Sequence, residues 1–297
     1  MTNNTKGFIL GALSAASYGI NPIAVILYND GLTVDSVLFY RYFLAAAAIG
    51  IVMLARRESF AVGLRELPWL IVAGLLFSFS SMTLFVSYTY IDISIASTLL
   101  FVYPAMVTLL MMLFFGERPT ATKIIALVLV FLGVVMLNGG SEAHATNAFG
   151  VAIVMLSALS YAVYMVACQK SVLRTVPSMK FSFYSILFGS TIYIVRLDFC
   201  TELQPLTTPE NIVCALALAL LPTLVSITAL ARAIHYIGST STAILGALEP
   251  VTAVLIGIFV FGERPTTMAV VGMFVILFAV TLIVAGKKIT RLRHRSR

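Results

Sequence analysis

The stretch Phe115-Gly116-Glu117-Arg118-Pro119-Thr120 returns unchanged as Phe261-Gly262-Glu263-Arg264-Pro265-Thr266, 146 residues later. Six consecutive identities in a chain of 297 residues mark an internal repeat. Working outward, Tyr90-Ile91 aligns with Tyr236-Ile237 and Pro104 with Pro250 at the same offset. Further out, Leu13-Ser14-Ala15 and Ser17-Tyr18 align with Leu156-Ser157-Ala158 and Ser160-Tyr161 at an offset of 143, so a three-residue insertion separates the blocks. Two units follow, residues 1–143 and residues 144–297, the second ending in a basic tail. Within each repeated block, glycine ends one helix and proline starts the next. Glu117 and Glu263 are expected to be structural, bonding the start of the following helix.

The repeat lies in an apolar chain. Sixty percent of residues are hydrophobic and 10% are charged, against about a quarter charged in soluble domains. A chain of this length cannot hide that much apolar surface without lipid. A spanning helix needs about 20 mostly apolar residues. Such segments fall at 7–28, 33–55, 67–90, 94–115 and 121–139, then at 148–168, 179–197, 211–236, 240–261 and 267–286. Turn residues at Asn29-Asp30-Gly31 and from Gln204 to Pro209 punctuate them. The first segment has a counterpart in the second unit, so it reads as a retained helix and not a signal peptide. The expected fold is therefore an all-α membrane protein of ten transmembrane helices in two five-helix repeats. An odd number of helices per unit makes the second unit enter from the opposite side, so the repeats are inverted. That architecture recurs in secondary transporters, whose solute site lies near the bilayer midplane between the repeats.

The net charge of +7 reads as membrane orientation, not as nucleic-acid binding, because the basic residues sit in connections and at the C-terminus. With the N-terminus inside, fifteen Lys and Arg fall on the inner side and two, Arg196 and Arg264, on the outer. This bias places both termini in the cytoplasm, in a cell membrane (inner or plasma). The tail from Lys287 to Arg297 is expected to contact anionic lipid.

Leu248-Glu249-Pro250-Val251 followed by Phe261-Gly262-Glu263-Arg264-Pro265, and in the first unit Val102-Tyr103-Pro104-Ala105 followed by Phe115-Gly116-Glu117-Arg118-Pro119, resemble the drug/metabolite transporter (DMT) superfamily, in its EamA type. The resemblance runs from about residue 7 to 285. It implies the ten-helix, inverted-repeat DMT fold, a central cavity, and export or exchange of amino acids or related metabolites. The first unit departs by having Tyr103 where the second has Glu249, so only one half supplies an acid there.

Charges inside the bilayer cost about 2.5–3.5 kcal/mol each by insertion scales, so they need a partner, water or a function. Glu249 is expected about nine residues into the ninth helix. Pro250 lacks an N–H and should loosen the helix beside it. Two readings stand for Glu249: binding a solute amine or coupling to protons, or packing against helix-end donors or a buried arginine. Arg41 is expected about 12 Å below the outer surface at 1.5 Å per residue. It either grips a solute carboxylate with its fork, or snorkels, pairs with Asp30 or Asp35, or braces the bundle. Its counterpart in the second unit is near Ser185. His235, near Arg232 at the inner end of the eighth helix, is a second proton-coupling candidate by its residue type, or an interfacial anchor.

Further candidates for a cavity lining are Tyr18 and Asn21 in the first helix, where Pro22 disturbs the backbone, Ser80 and Thr83 on the third, Tyr103 on the fourth and Tyr161 on the sixth. The small polar residues equally serve close helix packing, and the aromatic ones equally serve interfacial belts or core. No metal-ligand spacing, cofactor motif or nucleotide-binding loop is present. An intramembrane enzyme would need a catalytic constellation, and His144, His235 and His294 stand apart. A phosphate-sugar antiporter would want clustered deep Lys or Arg, where Arg41 alone qualifies. The expected function is a non-enzymatic secondary transporter of a small polar metabolite, working by alternating access as a monomer or homodimer. A transporter of drugs or another organic solute is the alternative, and a receptor or channel comes after it.

Overall fold

The computed structural model describes residues 3–87, 90–91, 96, 99–138, 147–262 and 266–295. Among them helix is the only regular structure; no strand occurs. The first unit contributes α1 (Asn3–Tyr18), α2 (Ala24–Asn29), α3 (Val34–Ala55), α4 (Leu67–Ser87), α5 (Tyr103–Phe115) and α6 (Ala121–Asn138). The second contributes α7 (Ala148–Lys170), α8 (Ser178–Arg196), α9 (Pro209–Ala219), α10 (Ser226–Ile237), α11 (Ser239–Leu245), α12 (Leu248–Phe261) and α13 (Thr267–Arg295).

Among the described residues six stretches are long and apolar enough to cross a bilayer: Val34–Ala55, Leu67–Ser87, Ala148–Lys170, Pro209–Ile237, Ser239–Val260 and Thr267–Val284. Tyr103–Phe115 and Ala121–Met136 are shorter apolar helices. The 22 residues of α3 reach about 33 Å at 1.5 Å per residue, matching a hydrocarbon core of about 30 Å. Leucine, isoleucine, valine and phenylalanine on the outer faces are exposed, as on Phe274 and Phe278 of α13. Small and hydroxylated residues fill the interior, as expected where helices meet by close approach in lipid.

The sequence repeat is visible in the packing. Where α1 lies on α10, α7 lies on α4; where α3 meets α9, α8 meets α4; where α12 meets α1, α5 meets α7. The remaining large contacts join repeat mates: α3 with α8, and α6 with α13. Side chains follow the same exchange. Ser14 Oγ donates to the Ser226 carbonyl at 2.9 Å, and its mate Ser157 Oγ donates to the Ser80 carbonyl at 2.7 Å. A Cβ on Gly7 would stand 2.6 Å from Ile237 Cγ2 and 2.7 Å from Tyr236 Cβ; one on Gly150 would stand 2.8 Å from Ile91 Cγ2 and from Tyr90 Cβ. Both crossings therefore need glycine. Tyr40 Oη donates to the Gln204 carbonyl at 2.8 Å at one end of α3, and Tyr184 Oη to the Phe60 carbonyl at 2.6 Å on α8.

The repeated hexapeptide does what its composition asks. Gly116 (φ 63°) and Gly262 (φ 70°) take the left-handed conformation that closes α5 and α12, a conformation glycine adopts without a Cβ penalty. Glu117 reaches the next helix through Lys123, Nζ to Oε1 3.0 Å. The start of α6 differs slightly from expectation. Pro119 precedes the helix by two residues, and Thr120 makes the turn by accepting from the Lys123 N–H at 3.4 Å. Glu263, Arg264 and Pro265 lie outside the described residues, as do most of residues 88–98.

Three expected helices are interrupted. The first stops at Tyr18 and resumes after a one-turn 3₁₀ segment, Asn21–Ile23. The ninth, expected to run through Glu249, breaks at Gly246-Ala247 into α11 and α12. Pro250 explains that break, since its ring clashes with the carbonyl four residues back, that of Gly246. The eighth contains a π segment, Leu220–Val225, around Pro222.

Candidate solute-binding site

The breaks bring the candidate residues together. Glu249 is not deep in a continuous helix but in the first turn of α12. A carboxylate there is favoured by the N-terminal end of the helix dipole. Its repeat mate Tyr103 opens α5, with Pro104 beside it. Tyr103 Oη donates to the Ala243 carbonyl at 3.2 Å, in the last turns of α11. A Cβ on Gly246 would collide with that hydroxyl, so only glycine lets the α11–α12 turn close over Tyr103. The end of α1 approaches equally closely. A Cβ on Gly19 would run into the Glu249 carbonyl oxygen and stand 2.6 Å from Thr252 Cβ. Tyr18 is thereby held beside the first turn of α12. Glu249 lies inside the bundle yet is half-buried, so its carboxylate faces internal space. No hydrogen bond of that carboxylate is made to any described residue.

Arg41 on α3 is buried, 3% exposed. Snorkelling is thus excluded, and of the two acids offered as alternative partners, Asp35 is engaged elsewhere. Asp35 takes Arg196 instead, Nε to Oδ1 2.7 Å and Nη2 to Oδ2 2.9 Å. Arg41 Nε donates to Thr223 Oγ1 at 2.7 Å. Thr223 sits in the π segment and donates in turn to the Leu218 carbonyl, five residues back, at 2.9 Å. The wide π turn frees that carbonyl and aims Thr223 at Arg41; such segments recur at functional sites. The guanidinium carbon lies 5.1 Å from the Tyr18 ring centroid and 5.9 Å from that of Tyr42. Arg41 Nη2 is buried without a partner. Arg41 and Glu249 are within Coulombic range but form no direct ion pair.

Tyrosines wall this space. Tyr103 and Tyr161 meet edge to face with centroids 4.9 Å apart, and Tyr161 continues to Phe77 at 6.1 Å. Asn21, on the 3₁₀ turn, has its Oδ1 buried and unpartnered. Ser80 and Thr83 are placed differently. Ser80 Oγ donates to the Ser157 carbonyl at 3.0 Å, and Thr83 Oγ1 to the Phe79 carbonyl at 2.8 Å. Their hydroxyls serve helix packing in this conformation. His235 is apart from Glu249, at the far end of α10, lining a separate cavity with Lys6 and Arg232. Sequence reasoning missed Thr223, Gly19 and Gly246. Pro222 inside an apolar run was the one available signal for the first.

A bundle of apolar helices, broken at the level of a half-buried acid and a buried base, defines an all-α, multi-pass membrane protein. The chain belongs to the EamA-like transporter family, which it matches over residues 5–139 and again over 148–285, within the drug/metabolite transporter superfamily. An uncharacterized transporter of Archaeoglobus fulgidus is 26% identical over 91% of this chain and 93% of its own. The uncharacterized transporter YdfC of Bacillus subtilis is 23% identical over 82% and 79%. The uncharacterized transporter sll1319 of Synechocystis is 29% identical over 67% and 61%. A solved crystal structure superposes with a TM-score of 0.76 over 97% of this chain and 99% of the other, at 18% identity, a likeness of fold.

Proposed function

We propose that the protein is a secondary transporter that exports amino acids or closely related small polar metabolites. In this reading ten spans form two inverted five-helix halves, residues 1–143 and 144–297, with both termini in the cytoplasm of the cell (inner or plasma) membrane. The exchange of packing partners between repeat mates supports the inverted arrangement, and the bias of Lys and Arg supports the orientation. Two near-equivalent halves open to either side by trading conformations, and no enzymatic step is involved.

One observation carries the substrate reading. At membrane depth the chain leaves Arg41 Nη2 and Asn21 Oδ1 buried without partners, near a Glu249 carboxylate that no described residue bonds. Unsatisfied polar groups in such surroundings cost several kcal/mol each. A zwitterion satisfies all three: its carboxylate meets Arg41, and its ammonium meets Glu249 and Asn21. Tyr18, Tyr103 and Tyr161 bound the space that the side chain of the solute fills. Glu249, alone or with His235 on the way in, is the group through which proton movement couples to transport.

The test is uptake and efflux of a labelled amino-acid panel in proteoliposomes, with and without a proton gradient, for the native chain and Glu249→Gln. Saturable transport of at least one amino acid, weakened about tenfold or more when a charged contact is lost, is expected. Transport of that amino acid unchanged in Glu249→Gln would remove the acid from the site. The tyrosine wall favours a second reading, an organic cation or drug held by cation–π contacts with Glu249 as counter-ion. Quaternary ammonium dyes moving where amino acids do not would select it, and no vectorial movement of either would return a receptor or channel.

A further inference from the structure

The two ends of this molecule are equivalent by repeat and unlike by charge. At one end a cavity of about 480 Å³ opens between α1, α8 and α10, lined by Lys6, Ser178, Arg232, His235 and Tyr236. A small neighbouring cavity shares Ser178 and His235 and adds Arg174. None of the described lining residues is acidic. Lys6, Arg174, Arg232 and His235 are exposed, and none forms an ion pair or side-chain hydrogen bond with a described residue. At the other end two of these charges have apolar repeat mates and the third an uncharged one: Phe149 stands for Lys6 at the offset of 143, and Val86 for Arg232 and Thr89 for His235 at the offset of 146. There Phe149 packs edge to face on Tyr90, centroids 5.1 Å apart. The scaffold alone therefore does not call for these charges.

A cleft lined by one sign of charge focuses its field and concentrates counter-ions. Its volume falls in the range of small-molecule sites. We infer that the cavity between α1, α8 and α10 is a capture site for a small organic anion bearing a carboxylate or phosphate. Lys6 reaches it from α1 and Arg232 and His235 from one face of α10, three residues apart as helical neighbours require. Ser178 adds a hydroxyl. Such an anion arrives either as a soluble solute or as the headgroup of an anionic lipid, and the same four groups recognise both.

The site is tested by binding at equilibrium, so its outcome is independent of whether the protein transports amino acids. The full chain is placed in nanodiscs of phosphatidylcholine alone, and labelled inorganic phosphate and succinate are measured by equilibrium dialysis. Saturable binding is expected, weakened about tenfold in the K6Q/R232Q/H235Q variant and by added salt. Arg196→Gln, on the opposite face, leaves it unchanged, and thermal unfolding in the same discs reports whether the triple variant is folded. If neither soluble anion saturates, discs doped with phosphatidylglycerol are examined by native mass spectrometry. Retention of that lipid by the native chain and its loss from a folded triple variant assigns the site to a headgroup. Equal behaviour of native and folded triple variant towards both soluble anions and lipid overturns the inference.

Discussion

α5 and α12 begin alike and end alike. Each opens beside a proline, at Pro104 and Pro250, and each closes on a left-handed glycine, at Gly116 and Gly262. Just before the proline they differ in kind: α5 carries Tyr103 where α12 carries Glu249. The difference recurs across the molecule. Residues present in both halves pack: Ser14 with Ser226 and Ser157 with Ser80, Gly7 under Tyr236-Ile237 and Gly150 under Tyr90-Ile91. Outside the repeated hexapeptide, charges stand in one half without a charged mate: Glu249 against Tyr103, Arg41 against the region of Ser185, Lys6 against Phe149. Duplication builds the scaffold, and departure from it supplies the chemistry. The physical reason is that close helix packing in lipid asks the same small residues of both halves, whereas binding one asymmetric solute asks different groups of each.

That division can be broken or sharpened by experiment. The largest effect is expected at Arg41, which has no mate. Arg41→Leu should cut transport by about a hundredfold, the loss typical of truncating a buried charge that meets a ligand, while Arg41→Lys restores part of it. Transport kinetics in proteoliposomes decide. Equal activity in all three proteins would make Arg41 a brace, held only by Thr223.

The duplicated glycines come next. Gly7→Val and Gly150→Val should each destabilise the fold by about 1–3 kcal/mol through overpacking, and by similar amounts, read as thermal unfolding in detergent. A tolerant site at one position only would show that the two crossings are not equivalent. The serine pairs should be milder. Ser14→Ala and Ser157→Ala each remove one interhelical hydrogen bond, expected at about 0.6 kcal/mol and alike in both halves. The smallest effect belongs to an unduplicated contact at the surface. Arg196→Gln breaks the bond to Asp35, whose partners are partly exposed at 43% and 21%, and should cost less than about 1 kcal/mol, shrinking further in high salt. A larger loss would mean that this end of α3 and α8 is a closed gate, not an ordinary ion pair.

Much of the architecture was legible in the residues. Apolar runs of spanning length located the helices within a few residues, because a bilayer allows few alternatives to a helix whose backbone bonds are internal. The repeat was legible because six residues return together. Glu249 was found as a charge in an apolar run, and Pro250 announced the break beside it. The interruption at Pro222 was less legible. A proline in a helix signals a disturbance, but whether it becomes a kink, a gap or a π turn depends on what donates to the freed carbonyls, here Thr223 to that of Leu218. The hydroxyls of Ser80 and Thr83 looked available from their spacing, since spacing places residues on a face without saying which neighbour that face meets.

What the sequence by itself determined is the class: lipid-bound helices, an internal sequence repeat and family membership. All of these rest on composition and on matches along the chain. What only the tertiary structure decided is which lone residues share a space. Arg41 and Glu249 are 208 positions apart in the chain, and no local pattern relates them. They come within electrostatic reach because Gly19 lets α1 touch the first turn of α12 and because a π turn in the next element holds Arg41 in place. Close approach is a property of two surfaces at once, so it is settled only when both are folded against each other.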